Sequence, residues 1–100
     1  MKDQQQLQRI IDDTKRLLVL AEDGDWDAVV ELEHSRGILI EALFKMPPAI
    51  EAKQLAEGIQ FILDKNKILT QFSHSQRDSL RMEMSKAGRA TKAINNYLNT

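Results

Sequence analysis

Three aspartates stand at alternate positions around a glycine in the stretch AEDGDWDAVVELE, which covers residues 21–33. This spacing is typical of calcium loops, whose oxygen ligands occupy positions 1, 3 and 5 of twelve. Such a loop also needs a glycine at position 6 and a bidentate glutamate at position 12. If Asp23 is position 1, Ala28 and His34 occupy those two positions. The sequence therefore argues against a calcium site, and we expect neither a metal nor any other cofactor.

The same stretch has the composition of a tight turn between two helices. Gly24 can adopt the left-handed conformation that ends one helix, and Asp25 can cap the next. Trp26, the only tryptophan, can fold back over the first helix and contact Leu18 and Val19. We expect Gly24, Asp25 and Trp26 to form a structural turn. An exposed anchor for a partner is the alternative role of the tryptophan.

The remaining residues that could perform chemistry do not form a catalytic set. His34 and His74 have no cysteine or carboxylate at metal-ligand spacing. Glu33 and Arg36 are three residues apart, so they are expected to form an ion pair within one helix rather than an acid and base. The chain has no glycine-rich phosphate loop and no nucleophilic serine motif. We expect a protein that is not an enzyme, with no catalytic residues.

Length and composition favour a small intracellular domain. One hundred residues without cysteine form one domain, residues 1–100, with a single core and no disulfides. No segment has the length needed to cross a bilayer, so we expect a cytoplasmic protein without membrane insertion.

Charge is distributed unevenly along the chain. Residues 1–33 contain four basic and nine acidic side chains, whereas residues 67–100 contain six basic and two acidic ones. Attraction between helices of one bundle explains this asymmetry, and a basic surface for a partner is the alternative. The basic part lacks the density of cations and stacking aromatics that nucleic-acid binding requires, so no nucleic acid is expected.

The spacing of apolar residues predicts an all-α fold, a small antiparallel bundle of three main helices. A stripe of apolar residues spaced by three and four predicts a first helix over residues 4–22. A second helix should run from Trp26 to about Lys45 and end before Pro47 and Pro48. The third helix should start near Pro48.

The third helix is expected to be long and to be followed by a short one. Its apolar stripe extends for about 36 residues unless residues 73–75 interrupt it. Gly88 weakens the helix beyond them. We therefore expect residues 86–100 to form a weakly attached segment with a short helix, whose regulatory tail residues are Ile94, Tyr97 and Leu98.

The third helix has more apolar surface than one neighbour can bury. A second stripe, consisting of Phe61, Ile68 and Phe72, lies a quarter turn or more from the first. The tail, a second copy of the chain or a client protein could cover it. Because a short turn joins helices two and three, we place a partner-binding groove between them. Its predicted residues are Ile40, Leu43, Phe61, Ile68 and Phe72.

Three segments together resemble the FliT family of flagellar type III export chaperones. They are LLVLAEDGDWDAVVELEHSRGILIEAL, ILDKNKILTQFSHSQRDSL and the terminal GRATKAINNYL. The most specific part is the Gly-Asp-Trp-Asp turn at residues 24–27, followed by Glu33 and Arg36. The resemblance covers nearly the whole chain.

The resemblance implies a cytoplasmic helical bundle that binds the C-terminal region of the flagellar filament-cap protein. It implies prevention of premature assembly, delivery to the export ATPase complex and, in some members, inhibition of the flagellar master transcription regulator. The C-terminal helix is similar to the family's regulatory flap. The alternative from the residues themselves is a helical adaptor that self-associates, with a homodimer as the simplest form.

Overall fold

The computed structural model describes residues 2–75 and 93–98, and these are helical with short connections. Helix α1 spans Lys2–Glu22, α2 spans Trp26–Leu43 and α3 spans Ala52–Ser75. A short helix, α4, spans residues 93–98. The described residues contain no strand, which confirms the all-α prediction.

The connection between α2 and α3 is longer than the sequence suggests. α2 ends at Leu43, and α3 begins only at Ala52 rather than near Pro48. The intervening loop is held against the start of α1, because the backbone N–H of Ala49 donates a 2.7 Å hydrogen bond to Asp3. α3 continues as helix through Ser75, and the predicted length of about 36 residues extends outside the described residues.

The turn between α1 and α2 has the predicted geometry. Gly24 has a φ of 73°, which a side chain would strain. Asp25 accepts a 3.3 Å hydrogen bond from the N–H of Ala28 and so caps α2. Trp26 is half-buried and packs with Leu18 near the end of α1. Val19, the other predicted contact, is 56% exposed, and its contact with Trp26 stays a prediction.

Helix α1 packs closely against both α2 and α3, which lie farther from each other than from α1. α1 and α2 are antiparallel, since a tight turn joins them. α3 runs parallel to α1, and a 3.1 Å hydrogen bond between the side chains of Gln4 and Gln54 joins their starts. The sequence placed α2 and α3 in direct contact because the connection looked short. Both helices instead pack mainly against α1, and their side chains meet in shared apolar clusters.

The interior consists of two apolar clusters separated by a polar layer. The first cluster lies at the start of α1, and its buried residues are Leu7, Ile10, Ile40, Leu43, Phe44, Leu55, Ile59, Ile62 and Ile94. The second lies near the hairpin turn and contains Leu17, Ala21, Val29 and Leu69. The buried polar residues between them are Thr14, Glu33, Arg36 and Asn66. Each of the three long helices contributes to every layer.

An ion pair within α2 forms the centre of the polar layer. Arg36 Nη2 donates to Glu33 Oε2 at 2.6 Å, and both side chains are almost completely buried. Arg36 Nη1 donates to Thr14 Oγ1 at 3.0 Å, and that hydroxyl donates to the carbonyl of Ile10 at 2.7 Å. The predicted intrahelical pair is confirmed, and it also joins α2 to α1. A buried guanidinium requires such partners, because its desolvation is costly.

Replacing Arg36 alone should be strongly destabilising. Arg36→Met removes the cation beside a buried carboxylate and should lower the free energy of unfolding by about 3–5 kcal/mol. The double variant Glu33→Leu/Arg36→Met should lose less than the sum of the two single variants, because no charge is left in the layer. Urea denaturation followed by circular dichroism measures the free energy of unfolding of the starting protein, the two single variants and the double variant. Arg9→Met is the control, since its pair with Asp13 is exposed at Arg9. Equal losses for Arg9→Met and Arg36→Met would contradict the central role of the layer.

Replacing Trp26 should chiefly affect stability. The ring is half-buried against the second cluster, so Trp26→Ala should lower the free energy of unfolding by about 1–3 kcal/mol. Val19→Ala, on the exposed face at the same end, should change it by less than about 0.5 kcal/mol. Unchanged stability together with lost partner binding would instead identify Trp26 as a contact residue.

Candidate partner-binding surfaces

The structure divides the five predicted groove residues between different environments. Ile40 and Leu43 lie in the first apolar cluster and are only 0% and 4% exposed. Phe61 and Phe72 are half-buried, and Ile68 is 37% exposed. The five residues therefore do not line one groove between α2 and α3.

The geometry of α3 explains this division. Leu63 packs against the first cluster, whereas Phe61 lines a cavity beside α1. Two positions along a helix correspond to a rotation of about 200°, so these side chains point to nearly opposite sides of α3. Periodicity identifies both stripes but does not show which neighbour each one faces.

One surface is covered by the short helix α4. Ile94 is completely buried in the same cluster as Ile40 and Leu43. The rings of Tyr97 and Phe44 lie 4.9 Å apart at an angle of 49°. We call Ile40, Leu43 and Phe44, with the α3 residues of that cluster, the tail-covered surface. The tail thus packs across the ends of α2 and α3, where these two helices are not in close contact with each other.

The three predicted tail residues differ in their burial. Ile94 is fully buried, Tyr97 is half-buried and Leu98 is 53% exposed. Ile94 and Tyr97 therefore face the bundle, and Leu98 faces away from it. Residues 86–92 of the predicted segment lie outside the described residues, and its weak attachment stays a prediction.

A second surface is an uncovered cavity between α1 and α3, with a volume of about 310 Å³. We call it the open groove; its lining residues are Gln4, Leu7, Gln8, Ile11, Lys15, Gln54, Glu57, Gly58 and Phe61. Its deepest part is the contact between Leu7 and Gly58. A Cβ at Gly58 would lie only 2.9 Å from Leu7 Cδ2, so the glycine allows the two helices to approach.

Positive charge is concentrated at Phe61 in the open groove. The ammonium nitrogens of Lys15 and Lys65 lie 5.8 and 5.4 Å from the centre of the Phe61 ring. Both distances are within the range of cation–π attraction. The sequence analysis did not identify α1 as a wall of this groove, although Gln4, Gln8, Ile11 and Lys15 recur at helical spacing.

The second apolar stripe of α3 extends from the open groove towards the hairpin turn. Ile68 is partly exposed, and Phe72 packs against the second cluster. Phe72 therefore contributes to packing, while Ile68 is more accessible to a partner.

The described residues hold no group of three or more histidine, cysteine, aspartate or glutamate side chains that could bind a metal. His34 is exposed, and the side chain of His74 lies outside the described residues. No helix in the described part of the chain is long and apolar enough to cross a membrane.

Comparison with known proteins gives one match. No curated protein and no solved structure matches the chain. A family model described as Flagellar protein FliT matches residues 4–99. Because this match covers nearly the whole sequence, the chain belongs to the FliT family of flagellar export chaperones.

Proposed function

We propose that this protein binds the C-terminal region of the flagellar filament-cap protein, prevents its premature assembly and delivers it to the type III export apparatus. Family membership supports a chaperone role in flagellar export. The observation that carries the proposed mechanism is the tail-covered surface, where a short helix lies over apolar residues of α2 and α3.

The tail is suited to be displaced by a client. Among the described residues 93–98 of α4, only Ile94 is fully buried against the bundle. Its attachment depends on Ile94 and on the contact of Tyr97 with Phe44. A longer amphipathic helix from a client could make the same contacts and extend them along the tail-covered surface.

Displacement would expose the predicted client-contact residues Ile40 and Leu43. Both belong to the cluster that Ile94 completes. An apolar surface of this kind promotes aggregation when it stays uncovered. The tail therefore protects the surface in the absence of a client, and the free energy needed to displace it lowers the net affinity for the client.

The proposal includes Phe61, Ile68 and Phe72 as secondary client contacts on the other side of α3. Their partial exposure permits such contacts. Delivery requires a further interaction with the export ATPase complex. Inhibition of the flagellar master transcription regulator is proposed as a separate activity, which a binding assay with the purified regulator would test.

Weakening the tail should strengthen client binding. Tyr97→Ala removes the ring that contacts Phe44, an interaction of about 0.5–1.5 kcal/mol beyond its buried area. We expect affinity for the C-terminal fragment of the filament-cap protein to increase about three- to tenfold. Isothermal titration calorimetry measures it, and circular dichroism verifies that the variant is folded.

Leu98→Ala is the matched control, because its side chain is exposed on the same helix. It should leave the affinity within about twofold of the starting protein. Unchanged or weaker binding by folded Tyr97→Ala would contradict displacement of the tail. No binding by any of the proteins, together with concentration-dependent self-association in sedimentation, would favour the helical adaptor instead.

A further inference from the structure

We propose that the open groove between α1 and α3 binds an acidic amphipathic helix of a partner protein, at a site separate from the tail-covered surface. The proposal depends on the shape and charge of the groove and not on the identity of the export client. It adds a second binding site that is accessible while the tail is in place.

The groove has the shape required for a helix. α1 and α3 are parallel walls, and the row from Gln4 to Lys15 on α1 extends for about 17 Å, or three helical turns. Leu7 and Gly58 form its floor. The hydrogen bond between Gln4 and Gln54 closes one end. An apolar side chain of the partner would lie over the floor, beside the ring of Phe61.

The lysines beside Phe61 determine the charge of the partner. Lys15 is exposed and Lys65 is half-buried, and within residues 2–75 and 93–98 neither forms an ion pair. A carboxylate beside either ammonium group would offset its charge and accept charge-assisted hydrogen bonds.

Within residues 2–75 and 93–98, the acidic side chains near the groove form no ion pair with these lysines. Asp12 and Asp64 accept hydrogen bonds from Gln8 and Gln60 on their own helices, at 3.0 and 2.8 Å. Glu57 lines the groove, one helical turn before Phe61 and towards the start of α3. The charge of the groove therefore changes along its length, and the carboxylates of the partner should lie at the Lys15 end.

The chain itself does not supply a suitable occupant. Residues 76–92 contain five basic side chains and two acidic ones, so the lysines of the groove would repel them. The acidic stretch at residues 21–33 belongs to the hairpin, where Asp25 caps α2 and Trp26 packs against the core. An acidic helix from another protein is the occupant whose charge and shape both fit.

Two labelled helical peptides test the inference with the full-length protein. Each has about fourteen residues with leucines along one face; one has glutamates beside them and the other has lysines. We expect fluorescence anisotropy to show binding of the acidic peptide at least about tenfold tighter than that of the basic one. Equal affinities would overturn the charge assignment.

Charge reversal at the groove locates the site. Lys15→Glu/Lys65→Glu should weaken binding of the acidic peptide by about tenfold or more. The matched control is Lys45→Glu/Lys67→Glu, which reverses two exposed lysines outside the groove and should change the affinity by less than about threefold. Equal losses in the two double variants would show only a general charge effect and would overturn the proposed site.

Two further measurements separate this inference from client binding. Tyr97→Ala should leave the affinity for the acidic peptide unchanged, because none of the described tail residues 93–98 lines the open groove. If Tyr97→Ala instead raised the affinity for the acidic peptide as much as it raises the affinity for the client, the peptide would bind the tail-covered surface. That result would overturn the inference. Sedimentation that shows a dimer dissociated by Lys15→Glu/Lys65→Glu would identify a second copy of the chain as the occupant instead.

Discussion

The buried guanidinium of Arg36 is the constraint on which the arrangement of the helices depends. It is completely buried, contacts Glu33 at 2.6 Å and reaches Thr14 on α1. These partners offset its desolvation only when α1 and α2 are in one register. Asn66 is the residue of α3 in the same buried layer. The layer therefore fixes the positions of all three long helices along the bundle axis, and the apolar clusters form on its two sides.

The two ends of the bundle have different roles because of this layer. Among the described residues, the second cluster and the turn around Trp26 close the end near residues 21–29 with α1, α2 and α3 alone. The first cluster, at the other end, includes Ile94 of α4 as well as residues of the three long helices. Ile94 fills the space between them. The features proposed to bind partners are consequently found in the half of the bundle that needs α4 to complete its core.

Local features of the sequence predicted local structure well. The turn at Gly24 and Asp25 and the pair of Glu33 with Arg36 depend on residues within four positions of each other, and both are confirmed. Predicting the open groove would have required knowing how helices that are far apart in the sequence are rotated towards each other. The contact of Leu7 with Gly58, which places α3 beside α1, joins residues 51 positions apart, and no periodicity within one helix encodes it. For this reason the sequence identified the apolar stripes of α3 but combined them into one site.

The division of α3 into two faces has a consequence for binding at both surfaces. The tail-covered surface uses the side of α3 that carries Leu63, and the open groove uses the side that carries Phe61. Apart from Phe61, which is also proposed as a secondary client contact, occupants on nearly opposite sides do not compete for the same side chains. One could influence the other only by moving α3 relative to α1, and the close approach of Leu7 to Gly58 opposes that movement. A partner held in the open groove would therefore leave the exchange between tail and client unchanged, so a chaperone with this architecture could be held by one protein while it releases another.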